Sequence, residues 1–313
     1  MDLSIIIVNW NARDYLRKCL ESVNKHSNGL NLEIFVVDNS SNDGSIEMLK
    51  REFTKINLIE NKNNPGFGAA NNQALKKCGS EYVLILNPDT EVSAGALSAM
   101  VNFMKENKKA GAVGAKLLSA DKTIQFTCAR NFPTLLTEFF WLTTLVRRFP
   151  NNRLIGGYLM SYWDHNDRRE VNCLSGACIM ARLEVLRELD YFDEDYFMYG
   201  EDIDLCYRIK KAGWNIWYLP EAEIIHYGGV SSKNISERAV IYDRESLYTF
   251  FRKHQGVFAA MCYKITCIFV GLIMVFISGI AYLWFLIRGK DDFRKLYLEN
   301  CAILFWALKL RKT

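Results

Sequence analysis

Four polar side chains stand where apolar, strand-like runs stop. Asn9 follows Ile5 to Val8, Asp38 follows Ile34 to Val37, and Asn87 and Asp89 follow a run that ends at Leu86. In an open parallel sheet, ligands bind outside the carboxyl ends of the strands, so these four residues would share one binding edge. Amides and carboxylates on such an edge make it a candidate nucleotide site. The common phosphate loops are missing: Asn9-Trp10-Asn11-Ala12-Arg13 stands where Gly-x-Gly-x-x-Gly would follow the first strand, and no Gly-x-x-x-x-Gly-Lys-Ser/Thr occurs. A dinucleotide dehydrogenase or a P-loop enzyme is therefore not indicated. Farther on, Glu201-Asp202-Ile203-Asp204 opens a helical stretch after Tyr199-Gly200. Acids in a first helical turn commonly do no more than complement the helix dipole. Asp204 and Arg208 stand at i and i+4 and can pair as structure. His226, a single imidazole, has a structural reading too.

The elements that must position these groups follow from the hydrophobic pattern. The spacing predicts a buried strand over 3–8, then a helix with Tyr15, Leu16, Cys19, Leu20 and Val23 on one side. A strand at 34–37 ends in the turn-rich segment 38–44. Helix 44–53, a strand near 56–59, helix 68–78, strand 82–86 and helix 93–107 come next. Strands alternating with helices predict an α/β fold with a parallel sheet and right-handed crossovers. The alternation fades after about residue 115, and segment 131–170 is rich in aromatics, among them Phe139, Phe140, Trp141, Tyr158, Tyr162 and Trp163. A strand at 171–181, a helix at 201–212 and a strand near 215–218 restore order.

Several stretches, taken in order, resemble a family 2 glycosyltransferase of the GT-A fold, close to its bacterial rhamnosyltransferase-like branch. They are Ser4-Ile-Ile-Ile-Val-Asn-Trp-Asn11, Val36-Val-Asp-Asn-Ser-Ser41, Asn64-Pro-Gly-Phe-Gly-Ala-Ala-Asn-Asn72, Leu84-Ile-Leu-Asn-Pro-Asp-Thr-Glu91, Ser175-Gly-Ala-Cys178 and the segment from Phe192 to Arg208. The resemblance implies a mostly parallel, Rossmann-like sheet over residues 1–229. Its nucleotide-sugar half would be 1–118 and its acceptor half 119–229. It also implies that Asp38 accepts the N3–H of a pyrimidine, and that Val8, Asn9 and Trp10 line the base and ribose. Asn71 stands where some relatives place an Arg toward the diphosphate. Asn87-Pro88-Asp89 takes the place of a metal-binding Asp-x-Asp, so Asp89, with His226, would hold a divalent cation, Mg2+ or Mn2+. Asn87 would bond ribose or phosphate. Such a hard cation with oxygen ligands stabilises a diphosphate leaving group. Asp202, or Glu201 in its place, would be the general base. The implied reaction moves rhamnose or another hexose from a dTDP- or UDP-sugar to a lipid-linked or oligosaccharide acceptor, with inversion, in surface polysaccharide assembly. Asp164-His165 and Arg168-Arg169-Glu170-Val171 resemble a stretch of the same branch and point to a sugar. The central aromatics suit sugar stacking, a membrane interface or plain packing. A different class, a catalytically silent nucleotide-sugar binder that recruits partners to a membrane, shares most of these residues.

Composition bounds the partners. Lys plus Arg is 39 against 35 for Asp plus Glu, a net charge of +4, too weak for a dedicated nucleic-acid binder. The charge is uneven: residues 1–229 carry 26 basic and 29 acidic side chains, and residues 230–313 carry 13 and 6. That basic tail includes the uncharged run 265–287 and predicts a helical, membrane-associated region. Arg244, Arg252, Lys253 and Lys264 precede the run, and Arg288, Lys290, Arg294, Lys295, Lys309, Arg311 and Lys312 follow it. Basic residues on both sides, with a donor-binding body that the resemblance places in a bacterial cytoplasm, favour a peripheral or re-entrant hairpin on the cytoplasmic face of the inner membrane over one simple crossing. Ile5 to Val8 is too short for a signal peptide. Nine cysteines without any Cys-x-x-Cys spacing read as reduced core thiols.

Overall fold

A computed structural model of the chain describes residues 1–27, 29–228, 236–287 and 294–309. Arg288, Lys290, Arg311 and Lys312 of the basic flank lie outside the described residues. The chain divides into two compact units. The first comprises Met1–Phe132, Trp163–Phe197 and the segment from Glu201 through the last strand; the second comprises Pro133–Tyr162, Met198–Gly200 and the C-terminal helices. Segment 119–170, expected in the acceptor half, is thus shared between them.

The first unit begins with β1 (Leu3–Asn9), α1 (Arg13–Lys25), β2 (Leu32–Asp38), α2 (Ser45–Glu52), β3 (Asn57–Glu60), α3 (Phe67–Leu75), β4 (Tyr82–Leu86), β5 (Thr90–Val92), α4 (Ala96–Glu106) and β6 (Ala110–Leu118). The short strand β7 (Ala129–Arg130) follows. After α5 (Leu135–Leu142) and α6 (Leu145–Arg148) of the second unit come β8 (Arg169–Glu170), β9 (Cys173–Leu174), β10 (Cys178–Arg182), α7 (Leu183–Glu188), α8 (Glu201–Lys211) and β11 (Asn215–His226). Among the described residues the main sheet has the order β3-β2-β1-β4-β10-β6-β11-β5, with β8 paired to β11. Every residue of β1 is buried, as its β-branched run requires of a central strand. α1 buries Leu16, Cys19, Leu20 and Val23, the expected stripe.

The sheet is mixed but mostly parallel, as the resemblance implies, and one expected strand is corrected. β10 runs antiparallel between β4 and β6, while β1–β2, β1–β4, β2–β3 and β6–β11 are parallel. The strand expected over 171–181 is broken into β9 and β10 by a turn in which Cys178 N donates to Ser175 O at 3.1 Å. β6 escaped the hydrophobic reading because it is built of small residues that admit close neighbours. A Cβ on Gly111 would lie 2.7 Å from Trp214 Cβ, and one on Gly114 2.4 Å from Leu174 Cδ2. β11 extends well past residue 218. Its register shifts between Leu219 and Glu223, around Pro220, and it then pairs antiparallel with β5, setting His226 opposite Thr90.

The second unit adds α9 (Ser236–His254), α10 (Val257–Ile287) and α11 (Arg294–Leu308). Gly271 faces Leu304, Ser278 accepts from Asn300, and Gly279 faces Tyr297, so α10 and α11 run antiparallel as a hairpin. Arg244 is buried, bonded to Glu138 Oε2 at 3.1 Å and to Tyr263 OH at 3.2 Å. It therefore packs the unit and is lost from the basic flank. Phe139, Phe140, Trp141, Tyr158 and Tyr162 belong to this unit, and Trp163 to the first.

In the first unit, Asn72 fastens α3 to the segment before α8. Its Nδ2 donates to Phe192 O and Glu194 Oε1, both at 2.9 Å, and its Oδ1 accepts from Phe192 N at 3.0 Å. Asn72→Ala leaves a buried backbone N–H and C=O unpaired, a loss of about 1–3 kcal/mol. Urea unfolding should show a lower midpoint with unchanged slope; an unmoved midpoint contradicts this role.

Candidate active site

The carboxyl ends of β1, β2 and β4 lie side by side, with Asn9 opposite Asp38 in the β1–β2 register. Both residues are fully enclosed. Asn9 Nδ2 donates to Asp38 Oδ2 at 2.7 Å and to Ser41 Oγ at 3.1 Å, and Ser41 N donates to Asp38 Oδ1 at 2.8 Å. Each Asp38 oxygen thus already has a partner within the protein. The unpartnered acceptor at this corner is Asn9 Oδ1. Val8 is buried beside it, and Trp10 is half-buried in the following turn. Asn71, on α3, donates to Phe67 O at 2.9 Å and leaves a buried Oδ1 without a partner.

Asn87 follows directly on β4, and β11 returns His226 to the same place. His226 Nε2 lies 3.4 Å from Asp89 Oδ1 and 3.5 Å from Asn87 Nδ2. Its Nδ1 meets Gln125 Oε1 at 2.8 Å, and Gln125 Nε2 donates to His226 O at 2.7 Å. Among the described residues no group of three or more His, Cys, Asp or Glu gathers as a metal cage. A neutral imidazole whose Nδ1 donates keeps a lone pair on Nε2, here facing a carboxylate oxygen. Two electron-pair donors at 3.4 Å fit a shared cation. One carboxylate and one imidazole would supply only part of a divalent shell, so other oxygen ligands would have to complete it.

Asp202 and Glu201 open α8 and part company there. Asp202 Oδ2 accepts from Arg130 Nη2 at 2.7 Å and from Gly176 N at 2.9 Å, and its Oδ1 accepts from Ile203 N at 2.8 Å. Glu201 is buried with Oε2 unpartnered, and its carboxyl is pushed up to about 8 by burial first and by the Asp202 charge second. Asp204 forms the expected i,i+4 pair with Arg208 at 2.7 Å.

One turn joins these pieces. Gly176 N bonds Asp202, and the adjacent Ala177 O accepts from Asn87 N at 3.0 Å. Asn87, Asp89, His226 and Asp202 therefore converge at one end of the sheet, with Asn9 and Asp38 on the neighbouring strand ends. The stretch from Asp164 to Val171 does not join them. His165 stacks on Trp163 at 4.0 Å, Arg169 covers the same ring at 4.1 Å, and Arg168 and Glu170 pair with Glu221 and Lys210. Gln125 and Arg130 carried no sequence signal, because the residues they hold lie 101 and 72 positions away.

The family model for glycosyl transferase family 2 matches residues 4–189. The N-acetylglucosaminyl-diphospho-decaprenol L-rhamnosyltransferase of Mycobacterium tuberculosis is 26% identical over 266 residues, covering 81% of this chain and 85% of that protein. The rhamnosyltransferase WbbL of Escherichia coli is 24% identical over 259 residues, covering 80% and 92%. Among solved structures, a mannosyltransferase from Pyrobaculum calidifontis, crystallised with GDP-Man and Mn2+, superposes with a TM-score of 0.56 at 15% identity. It covers 98% of this chain and 86% of its own, a likeness of fold.

The buried Glu201 carboxyl gives stability a pH signature. Its folded value, about 8, lies above the ordinary 4.5, so its contribution is complete below 4.5 and disappears as pH rises through 8. Glu201→Gln cannot ionise, so its melting temperature should gain on the wild type's as pH rises from about 4.5 to about 8. Parallel melting profiles across that interval would contradict the assignment.

Proposed function

The chain belongs to glycosyl transferase family 2, and on that premise we propose that it transfers rhamnose or another hexose from a dTDP- or UDP-sugar to a lipid-linked or oligosaccharide acceptor. The observation that carries this reading is the convergence of Asp89, His226, Asn87 and Asp202 on one sheet edge, joined through Gly176 and Ala177. The two curated rhamnosyltransferases support the sugar class, and the decaprenol-linked substrate named for one supports the acceptor class. The base is a pyrimidine read at the Asn9–Asp38 pair beside Val8 and Trp10, where Asp38 fixes the amide and leaves Asn9 Oδ1 as an open acceptor. Asn71 Oδ1 is a second open acceptor for the donor.

Asp89 and His226 would hold a divalent cation, Mg2+ or Mn2+, which when bound would neutralise charge on the departing diphosphate. Asp202 accepts the acceptor hydroxyl's proton while that oxygen bonds the anomeric carbon and the bond to the diphosphate oxygen breaks. Arg130 and the Gly176 amide orient the carboxylate for that transfer. Attack from the face opposite the leaving group inverts the anomeric centre.

The tail seats the protein on the membrane surface. α10 exposes one long apolar stripe, including Phe258, Ile265, Phe269, Phe276, Ile280 and Leu283. This helix alone is long and apolar enough to cross a bilayer among the described residues. The hairpin with α11 brings Lys264 back to the Lys309 carbonyl, so both ends of the pair return to one side. That supports a re-entrant or interfacial seat on the cytoplasmic leaflet.

Two tests follow. Asp89→Asn should weaken cation-dependent donor binding along with turnover, whereas Asp202→Asn should keep donor affinity and lose about 10²–10⁴ in rate. Calorimetry of donor binding, beside NMR of the product's anomeric proton, checks both. Normal turnover in Asp202→Asn, or a product that retains the donor's configuration, overturns the assignment. For the tail, a cysteine added at the C-terminus should resist an impermeant thiol reagent in intact cells; labelling would contradict the cytoplasmic seat.

A further inference from the structure

His226 could present either ring nitrogen to Asp89, and nothing in the residue itself decides which carries the proton. The surroundings decide it. The main-chain oxygen of His226 can only accept, and a side-chain amide nitrogen of Gln125 lies 2.7 Å from it. The same nitrogen is 3.3 Å from Ser119 Oγ. That fixes the amide's orientation, so the oxygen of Gln125, Oε1, is the atom 2.8 Å from His226 Nδ1. A carbonyl oxygen there demands a donor, so Nδ1 carries the hydrogen. In the neutral ring Nε2 then bears the lone pair, and Nε2 is the nitrogen that faces Asp89 Oδ1 at 3.4 Å.

Gln125 is itself held firmly. Its N donates to Leu117 O at 2.9 Å and its O accepts from Cys128 N at 3.0 Å. The next residue, Phe126, packs edge-on against the buried ring of His165 at 5.4 Å. The amide therefore grips both ends of one residue, the main-chain oxygen and the ring.

The geometry points to Gln125 as a positioning residue that locks His226 in the Nδ1–H tautomer and keeps Nε2 free toward Asp89. This inference rests on the reading of Asp89 and His226 as the cation-holding pair. Partners behind a ligating imidazole typically alter cation affinity about 10–100-fold when removed.

The test uses the full chain with 15N-labelled histidine. The protein has only four histidines, so His226 can be assigned by loss of its signal in His226→Ala. At about pH 8, where an ordinary imidazole is neutral, wild type should show Nδ1 protonated and Nε2 bare. Gln125→Leu, checked for an unchanged fold by circular dichroism, should shift the ring toward the other tautomer and weaken Mn2+ binding, read by electron paramagnetic resonance, by about 10–100-fold. Gln125→Glu keeps an acceptor for Nδ1–H and should retain the wild-type tautomer and most of the affinity. If Gln125→Leu leaves the tautomer unchanged, the positioning role is overturned. It is overturned equally if Gln125→Glu falls as far as Gln125→Leu, because the bond to the main-chain oxygen would then be the one that matters. A tautomer that shifts as expected in a protein whose wild type binds no Mn2+ supports the positioning role and overturns the cation reading instead.

Discussion

The turn from Ser175 to Cys178 is the constraint on which the site depends. Its Ala177 oxygen holds the Asn87 amide at the end of β4, and its Gly176 amide holds the Asp202 carboxylate at the start of α8. The two halves of the chemistry, the strand-end residues and the acid on the helix, are thereby fixed to one peptide segment. β10 makes this possible by running antiparallel between β4 and β6, so that its first residues, not its last, lie beside the carboxyl end of β4. Gly176 sits against α8 here, an added Cβ meeting Asp202 Cβ in ordinary contact at 3.4 Å.

Around that turn the site is built for charge. Asn9 Oδ1, Asn71 Oδ1 and Glu201 Oε2 are buried oxygens without partners, and His226 Nε2 faces Asp89 Oδ1 at 3.4 Å. Buried polar atoms are nearly always satisfied, because leaving one unpaired is costly. Several unsatisfied oxygens of this kind are what a polar ligand would complete. Glu201 shows the opposite solution: buried and with Oε2 unpartnered, its carboxyl is pushed up to about 8, whereas Asp202 has Arg130 Nη2 at 2.7 Å.

Much of this was legible in the residue order. β4 and the start of α8 lie where periodicity places them, because a five-residue apolar run and an acidic first turn are local signals. β6 was not, since glycine and alanine carry its close packing and give no β-branched signature. The direction of β10 was not either: hydrophobic pattern reports burial and is silent on polarity along the strand. Asp38 stands at the end of β2 as expected, its two oxygens each accepting one hydrogen bond, from Asn9 and from the Ser41 amide. Gln125 and Arg130 act on residues far along the chain, and such pairs exist only once the sheet has formed.

The measurement that bears most directly on this account is nucleoside diphosphate release by the purified full chain, with a panel of nucleotide sugars and a polyprenyl-diphosphate-linked acceptor. Release should occur with a dTDP- or UDP-sugar, should require the acceptor for full rate, and should stop when a chelator removes divalent cations. Failure of every nucleotide sugar to yield its diphosphate, or full release in the presence of the chelator, would contradict it.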